Sequence, residues 1–258
     1  MSGGNDWAST LFDLSGKTAL ITAPASALAA PLAQGLAAHG AHVIVNGRNA
    51  DRAQQVADEI RQQGGQASMK SFDVTDAAAV NQAIAELEAQ QPIDILVNNA
   101  GMQYRTLLED FPDEQWELLL KTITSAYLVG KAVGRHMIPR QSGKIINIAS
   151  VQSELARPGI APYTTTKGAI RNLTSWHGDR LGKTQYSGMR LVPGYFKTAP
   201  QSGPVRRSGL CAWLKAHPAG RWGKCRNWSG SRSSRQCGFF VHDRPDPACG
   251  WHYRIHLI

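Results

Sequence analysis

Along the first two hundred residues, short apolar runs alternate with longer stretches in which apolar side chains recur every three or four positions. The runs at 17–22, 40–45, 67–72, 93–97, 144–150 and 189–194 read as buried strands. The stretches at 28–39, 51–63, 77–90 and 113–135, and one containing Tyr163, read as helices; Gly64 and Gly65 stop the second of them. Strand and helix in strict alternation is the pattern of βαβ units, so the chain predicts an α/β fold with a doubly wound parallel sheet in a single domain. After Ser175 the pattern fades. Residues 176–183 continue no amphipathic face, and residues 225–258 carry neither a helical nor a strand period. The sequence therefore divides into a domain at 1–224 and an aberrant basic segment at 225–258.

Composition changes the picture in one place. The 258 residues carry a formal net charge of +9, which in a uniform chain points to an anionic partner. The excess is local. From residue 200 onward ten arginines and lysines face only Asp243 and Asp246, and the rest is near neutral. The four cysteines, Cys211, Cys225, Cys237 and Cys249, lie in the same region. With His217, His242, His252 and His256 they invite a zinc reading, but no pair has knuckle spacing, so no metal is expected. No apolar run is long enough to span a membrane, and the first residues lack the basic-then-apolar order of a secretory signal. The expectation is a cytoplasmic protein.

The candidate chemistry lies at the end of the fifth strand. The run at 144–149 leads into Ser150, at the carboxyl edge of the sheet where open α/β folds bind ligands. Tyr163 and Lys167 follow, four apart, so on a helix the phenol and the ammonium share a face. A neighbouring ammonium favours the phenolate and lowers the tyrosine pKa from its usual ~10. Tyr163 then suits a general acid/base, and Ser150 can hold the reacting oxygen against it.

With the order of elements, this triad resembles the short-chain dehydrogenase/reductase family, whose catalytic Ser, Tyr and Lys match Ser150, Tyr163 and Lys167. The word NNAG at 98–101 also resembles the family, and LFDLSGKT at 11–18, VNGR at 45–48, GKAVGRHMI at 130–138, SVQSELARPGIAPY at 150–163, PGYF at 193–196 and PAGRWG at 218–223 resemble one branch of it. That branch exchanges a hydride between a nicotinamide cofactor and a sugar acid, interconverting gluconate and 5-ketogluconate. The resemblance implies a Rossmann-type sheet with a seventh strand, a homo-oligomer (tetrameric in the family), and a small-molecule substrate, with no nucleic acid or membrane partner. It places the cofactor against Thr22, Ser26, Leu28, Arg48, Asp73, Val74, Asn99, Ala100, Gly101, Tyr163, Lys167, Pro193, Gly194 and Thr198. Asp73 is otherwise a helix N-cap candidate, and Asn99 is expected to brace the strand packing. The cofactor expected is NADP rather than NAD, because Arg48 follows the second strand where an acid would bind a ribose hydroxyl. Arg105 and Arg157 are the candidate cations for a substrate carboxylate, beside Ser150.

The sequence also departs from the family. The first turn normally reads T-G-x-x-x-G-x-G; here Ala23, Ala27 and Ala29 replace the glycines and Pro24 removes a backbone donor. The helix at 113–135 lacks the family's catalytic Asn, which reads as deleted or replaced by Ile123. Read back through degenerate codons and shifted by one base, residues 238–255 permit a word similar to the family's final strand, which points to a frameshifted tail. The rival readings of the tail are a basic RNA-binding segment and a disordered extension. For the whole chain they are a 3-oxoacyl-type reductase or a non-catalytic derivative of the fold.

Overall fold

The computed structural model describes residues 12–23, 29–155, 158–181, 185–193, 238–242 and 256–257. Six strands form a parallel core: β1 (Thr18–Thr22), β2 (His42–Asn46), β3 (Gln66–Met69), β4 (Ile95–Asn98), β5 (Ser142–Ile148) and β6 (Gln185–Pro193). The helices between them are α1 (Ala29–Ala38), α2 (Ala50–Gln62), α3 (Ala77–Gln90), α4 (Asp113–Met137) and α5 (Ala161–Leu181). The sheet order is β3-β2-β1-β4-β5-β6, so the order reverses between β1 and β4, and the carboxyl edge opens there as a binding crevice.

Alternation along each strand sorts the core into two layers. Ile21, Val43, Val45 and Val97 point to one face and pack with Ala33, Val56 and Ile60 of α1 and α2. Leu20, Ile44, Leu96 and Ile145 point to the other and meet Ile84 of α3 with Val129, Val133 and Met137 of α4. A third cluster, Ala126, Ala149, Ile170 and Val192, seats α4 and α5 over β5 and β6. Local signals start the helices: the Asn49 side chain accepts from the Arg52 N–H before α2, and Asp76 accepts from the N–H groups of Ala78 and Ala79 before α3. Asp76, not Asp73, is therefore the N-cap.

Two expectations are overturned near the end of the chain. The last helix does not fail at Ser175 but runs to Leu181. And the segment with no strand period supplies two short strands, β7 (Gly238–His242) and β8 (His256–Leu257). Both are antiparallel: β7 pairs with β6, Leu191 opposite Phe240, and β8 pairs with β7. A sheet edge accepts any extended backbone, which is why periodicity did not forecast them. Among the described residues no helix is long and apolar enough to cross a membrane, and no cluster of His, Cys, Asp or Glu could hold a metal ion. The four cysteines lie outside the described residues.

Candidate active site

The crevice begins at the end of β1. Thr22 is buried, and its hydroxyl accepts from the N–H groups of Asn99 and Ala100 at 3.0 and 3.1 Å and donates to the Val97 carbonyl at 3.4 Å. Asn99 answers by donating its amide to the carbonyls of Thr22 and Ala23 at 3.2 and 2.9 Å. These bonds lock β1 to β4 at the topological switch, so the Thr22 hydroxyl is committed to the fold. The next residue carries strain. Ala23 has φ +50°, a left-handed conformation that favours glycine. Ala29, the third alanine of the turn, is fully buried at the start of α1. Pro24, Ser26, Ala27 and Leu28 lie outside the described residues.

At the end of β2 the buried Asn46 side chain donates to the carbonyls of Lys70 and Phe72, and Ser71 donates to the Gly47 carbonyl at 3.0 Å. The turn is thereby fixed, and Arg48 projects from it into solvent. Asp73 lies within electrostatic reach of Arg48. Its carboxylate accepts from the Thr75 N–H and hydroxyl at 2.8 and 2.7 Å. Those two bonds, with smaller contributions from Arg48 and Lys121, hold its pKa below the usual carboxylate value. Val74 is buried beside it. Past β4, Ala100 is half-buried and Gly101 exposed. A methyl group built on Gly101 would stand 3.2 Å from the methyl of Thr122 on α4. Thr122 is thus the α4 side chain that packs against Gly101; it is buried, and its hydroxyl has no hydrogen-bond partner among the described residues.

Ser150 lies two residues past β5 and caps a 3-10 turn, Val151–Ser153. Its hydroxyl accepts from the Gln152 N–H at 3.2 Å, while the Ser153 hydroxyl accepts from the Ser150 N–H at 3.3 Å. This capping box fixes the Ser150 side chain and still leaves its proton to donate. Tyr163 and Lys167 follow on α5. Tyr163 is half-buried. Lys167 is 6% exposed, donates to the Ile148 carbonyl at 2.6 Å, and places its ammonium 6.0 Å from the centre of the Tyr163 ring. Burial lowers its pKa from 10.5 to about 8. The structure thus sets Ser150, Tyr163 and Lys167 around the end of β5. Arg105 lies on the loop after β4, where its guanidinium donates to Gln103 at 3.2 Å. That loop reaches the approach to α5: the Thr106 carbonyl is 3.5 Å from a methyl group built on Gly159. Pro193 ends β6 in a buried position. Arg157, Gly194 and Thr198 lie outside the described residues.

Sequence reasoning missed a polar row beneath these residues. Asn98, Asn147 and Arg190 occupy matched positions on β4, β5 and β6, all buried. Asn98 donates to Asn147 at 2.9 Å, Asn147 to the Thr174 hydroxyl on α5 at 2.9 Å, and Thr174 to the Ile170 carbonyl at 2.7 Å. The usable signal was a polar residue inside an apolar strand run, which burial makes costly unless it is bonded.

A family model described as short chain dehydrogenase matches residues 17–206. The chain is 46% identical over 235 residues to a gluconate 5-dehydrogenase of Gluconobacter oxydans, covering 89% of this chain and 92% of that protein. It is 41% identical over 216 residues to a 5-keto-D-gluconate 5-reductase of Escherichia coli K12, covering 83% and 85%. Among solved structures it resembles a gluconate 5-dehydrogenase from Burkholderia cenocepacia in complex with NADP and tartrate. There the TM-score is 0.81 at 44% identity, over 86% of this chain and 89% of that one.

Proposed function

The chain belongs to the short-chain dehydrogenase family, and we propose from that premise that it moves a hydride between NADP(H) and a sugar acid, interconverting 5-ketogluconate and gluconate. The observation that carries the chemistry is the buried Lys167 ammonium beside the Tyr163 ring at the end of β5. The likeness to gluconate 5-dehydrogenases, sustained over most of both chains, supports the substrate class. The residues along the crevice fit NADP. A cation, Arg48, stands after β2 with no acid beside it in that turn to hold a ribose hydroxyl, and Gly101 leaves open backbone after β4. When bound, the cofactor supplies or accepts the hydride at the carbon that changes oxidation state.

The chain's own residues handle the oxygen and the proton. In the reducing direction Ser150 donates to the ketone oxygen and orients it. Tyr163 gives that oxygen its phenolic proton as the carbon gains the hydride, yielding the alcohol. Lys167 stabilises the phenolate left behind, and its bond to the Ile148 carbonyl fixes where that charge stands. Arg105, on the rim of the same opening, is proposed to meet the substrate carboxylate, with Arg157 as the second candidate. The Thr22 hydroxyl braces the turn beneath the cofactor crevice.

The test is a steady-state assay of 5-ketogluconate reduction with NADPH and with NADH, on the unaltered chain and on Tyr163→Phe. The expected result is turnover that prefers NADPH and a kcat roughly 10²–10⁴-fold lower in the variant. Full activity in Tyr163→Phe would remove the acid/base assignment, and turnover of a 3-oxoacyl thioester in place of the sugar acid would replace the substrate.

A further inference from the structure

The 3-10 turn that carries Ser150 is held at both ends. At its start Lys167 reaches down to the last carbonyl of β5, Ile148. At its far end is Glu154, whose carboxylate accepts from the Arg190 guanidinium at 3.1 Å and lies 3.7 Å from that of Arg171. The three residues come from three elements. Glu154 closes the turn, Arg171 is one helical turn beyond Lys167 on α5, and Arg190 belongs to β6. Arg190 is 1% exposed although it carries a full charge. A buried guanidinium needs a carboxylate, and Glu154 supplies one. The turn also lies close under α5, with the Ser153 carbonyl 3.9 Å from a methyl group built on Gly168.

We propose that Glu154 and Arg190 are positioning residues: their ion pair clamps the Ser150 turn against the helix that carries Tyr163 and Lys167. Arg190 is anchored in the sheet beside Asn147, so it is a fixed post; Glu154 is the tether, and Arg171 ties the same carboxylate to the catalytic helix. The distance between the serine hydroxyl and the phenol is then set by this bridge on one side and by the Lys167–Ile148 bond on the other. Misplacement of a reacting group by about 1 Å can cost about 10²-fold in rate.

The functional arm of the test rests on the reductase reading, and a second arm does not. Glu154→Ala is expected to lower kcat for 5-ketogluconate roughly 10- to 100-fold and to leave the dissociation constant for NADPH, read by fluorescence titration, unchanged. Glu154→Gln keeps an oxygen for Arg190 to donate to and recovers most of the loss. The double variant Glu154→Ala, Arg190→Met removes the uncompensated charge, so its melting temperature returns toward that of the parent while kcat stays low. A double variant that regains kcat together with stability would show a purely structural pair and overturn the clamp. The second arm is hydrogen exchange on the cofactor-free protein. In Glu154→Ala the amides of 150–155 should exchange faster while those of β4 and β5 hold their rates. Unchanged exchange in the turn, or acceleration throughout the sheet, overturns the clamp. Absence of turnover with any nicotinamide cofactor overturns the reductase reading and leaves the exchange result to decide the clamp.

Discussion

At the scale of single residues, Lys167 makes the chain's stability depend on pH in a predictable direction. Burial lowers its pKa from 10.5 to about 8, so folding is penalised while the ammonium must stay charged. That penalty is complete below pH 8. Between pH 8 and 10.5 the unfolded chain still binds the proton and the folded chain does not, so the penalty shrinks as pH rises. The melting temperature of the unaltered chain should therefore climb relative to Lys167→Met as pH goes from 8 to 10; a constant difference would show that the ammonium is not desolvated. Ala23 is the second such residue. An L-residue held left-handed costs about 1–2 kcal/mol, offset in part by the greater freedom of glycine in the unfolded chain. Ala23→Gly should thus stabilise the protein by about 1 kcal/mol, near 2–4 °C in melting temperature. It should also tighten NADPH binding in a fluorescence titration, since a methyl group leaves the turn that the family keeps bare. No gain in either would mean that the turn has adapted to alanine. Ser150, Tyr163 and Lys167 were legible because their chemistry is written in short spacings. Glu154 and Arg190 were not: they are 36 positions apart, and only the folded sheet brings a solvent-side acid to a buried base.

At the scale of elements, β1 to β6 and their helices agree with the hydrophobic period to within a few residues at each end, because the central strands β1, β2 and β4 are buried on both faces and the helices on one stripe. The failures have physical causes. Helix α5 continues past Ser175 although Trp176 stands exposed, since a helix already seated on the sheet can run on without a further apolar stripe. In α4 the resemblance leaves the family's asparagine deleted or replaced by Ile123, and the side chain that packs against Gly101 is Thr122. A buried hydroxyl without a partner costs about 1–3 kcal/mol. Thr122→Val keeps the shape and removes that cost, so it should raise the melting temperature by several degrees without lowering kcat. A lower melting temperature would reveal a partner for the hydroxyl, and a lower kcat would give it a part in proton transfer.

At the scale of the whole molecule, the sheet is parallel through β6 and then reverses. The long carboxyl-side strand β6 would be an edge if nothing covered it, with a row of free N–H and C=O groups able to template association. In this chain β7 fills that edge in antiparallel register from Met189 opposite His242 to Pro193 opposite Gly238. The segment that supplies β7 is where ten basic side chains outnumber two acids and where the family's final strand is illegible. Its part in the fold is to satisfy backbone, which any extended segment without proline at the pairing positions can do. A chain ending at residue 224 should keep the hydrogen-exchange protection of β1, β4 and β5, and of the β6 amides bonded to β5, and lose it at the β6 amides between Met189 and Pro193 that face β7. It should also form concentration-dependent aggregates in size-exclusion chromatography with light scattering, through the bared β6 edge. Appending a neutral strand in place of 238–242 should restore the parent's elution. If the shortened chain instead elutes as the full chain does, with the β7-facing amides of β6 still protected, then β7 covers nothing that the molecule needs covered, and the tail is an appendage to a domain complete by residue 224.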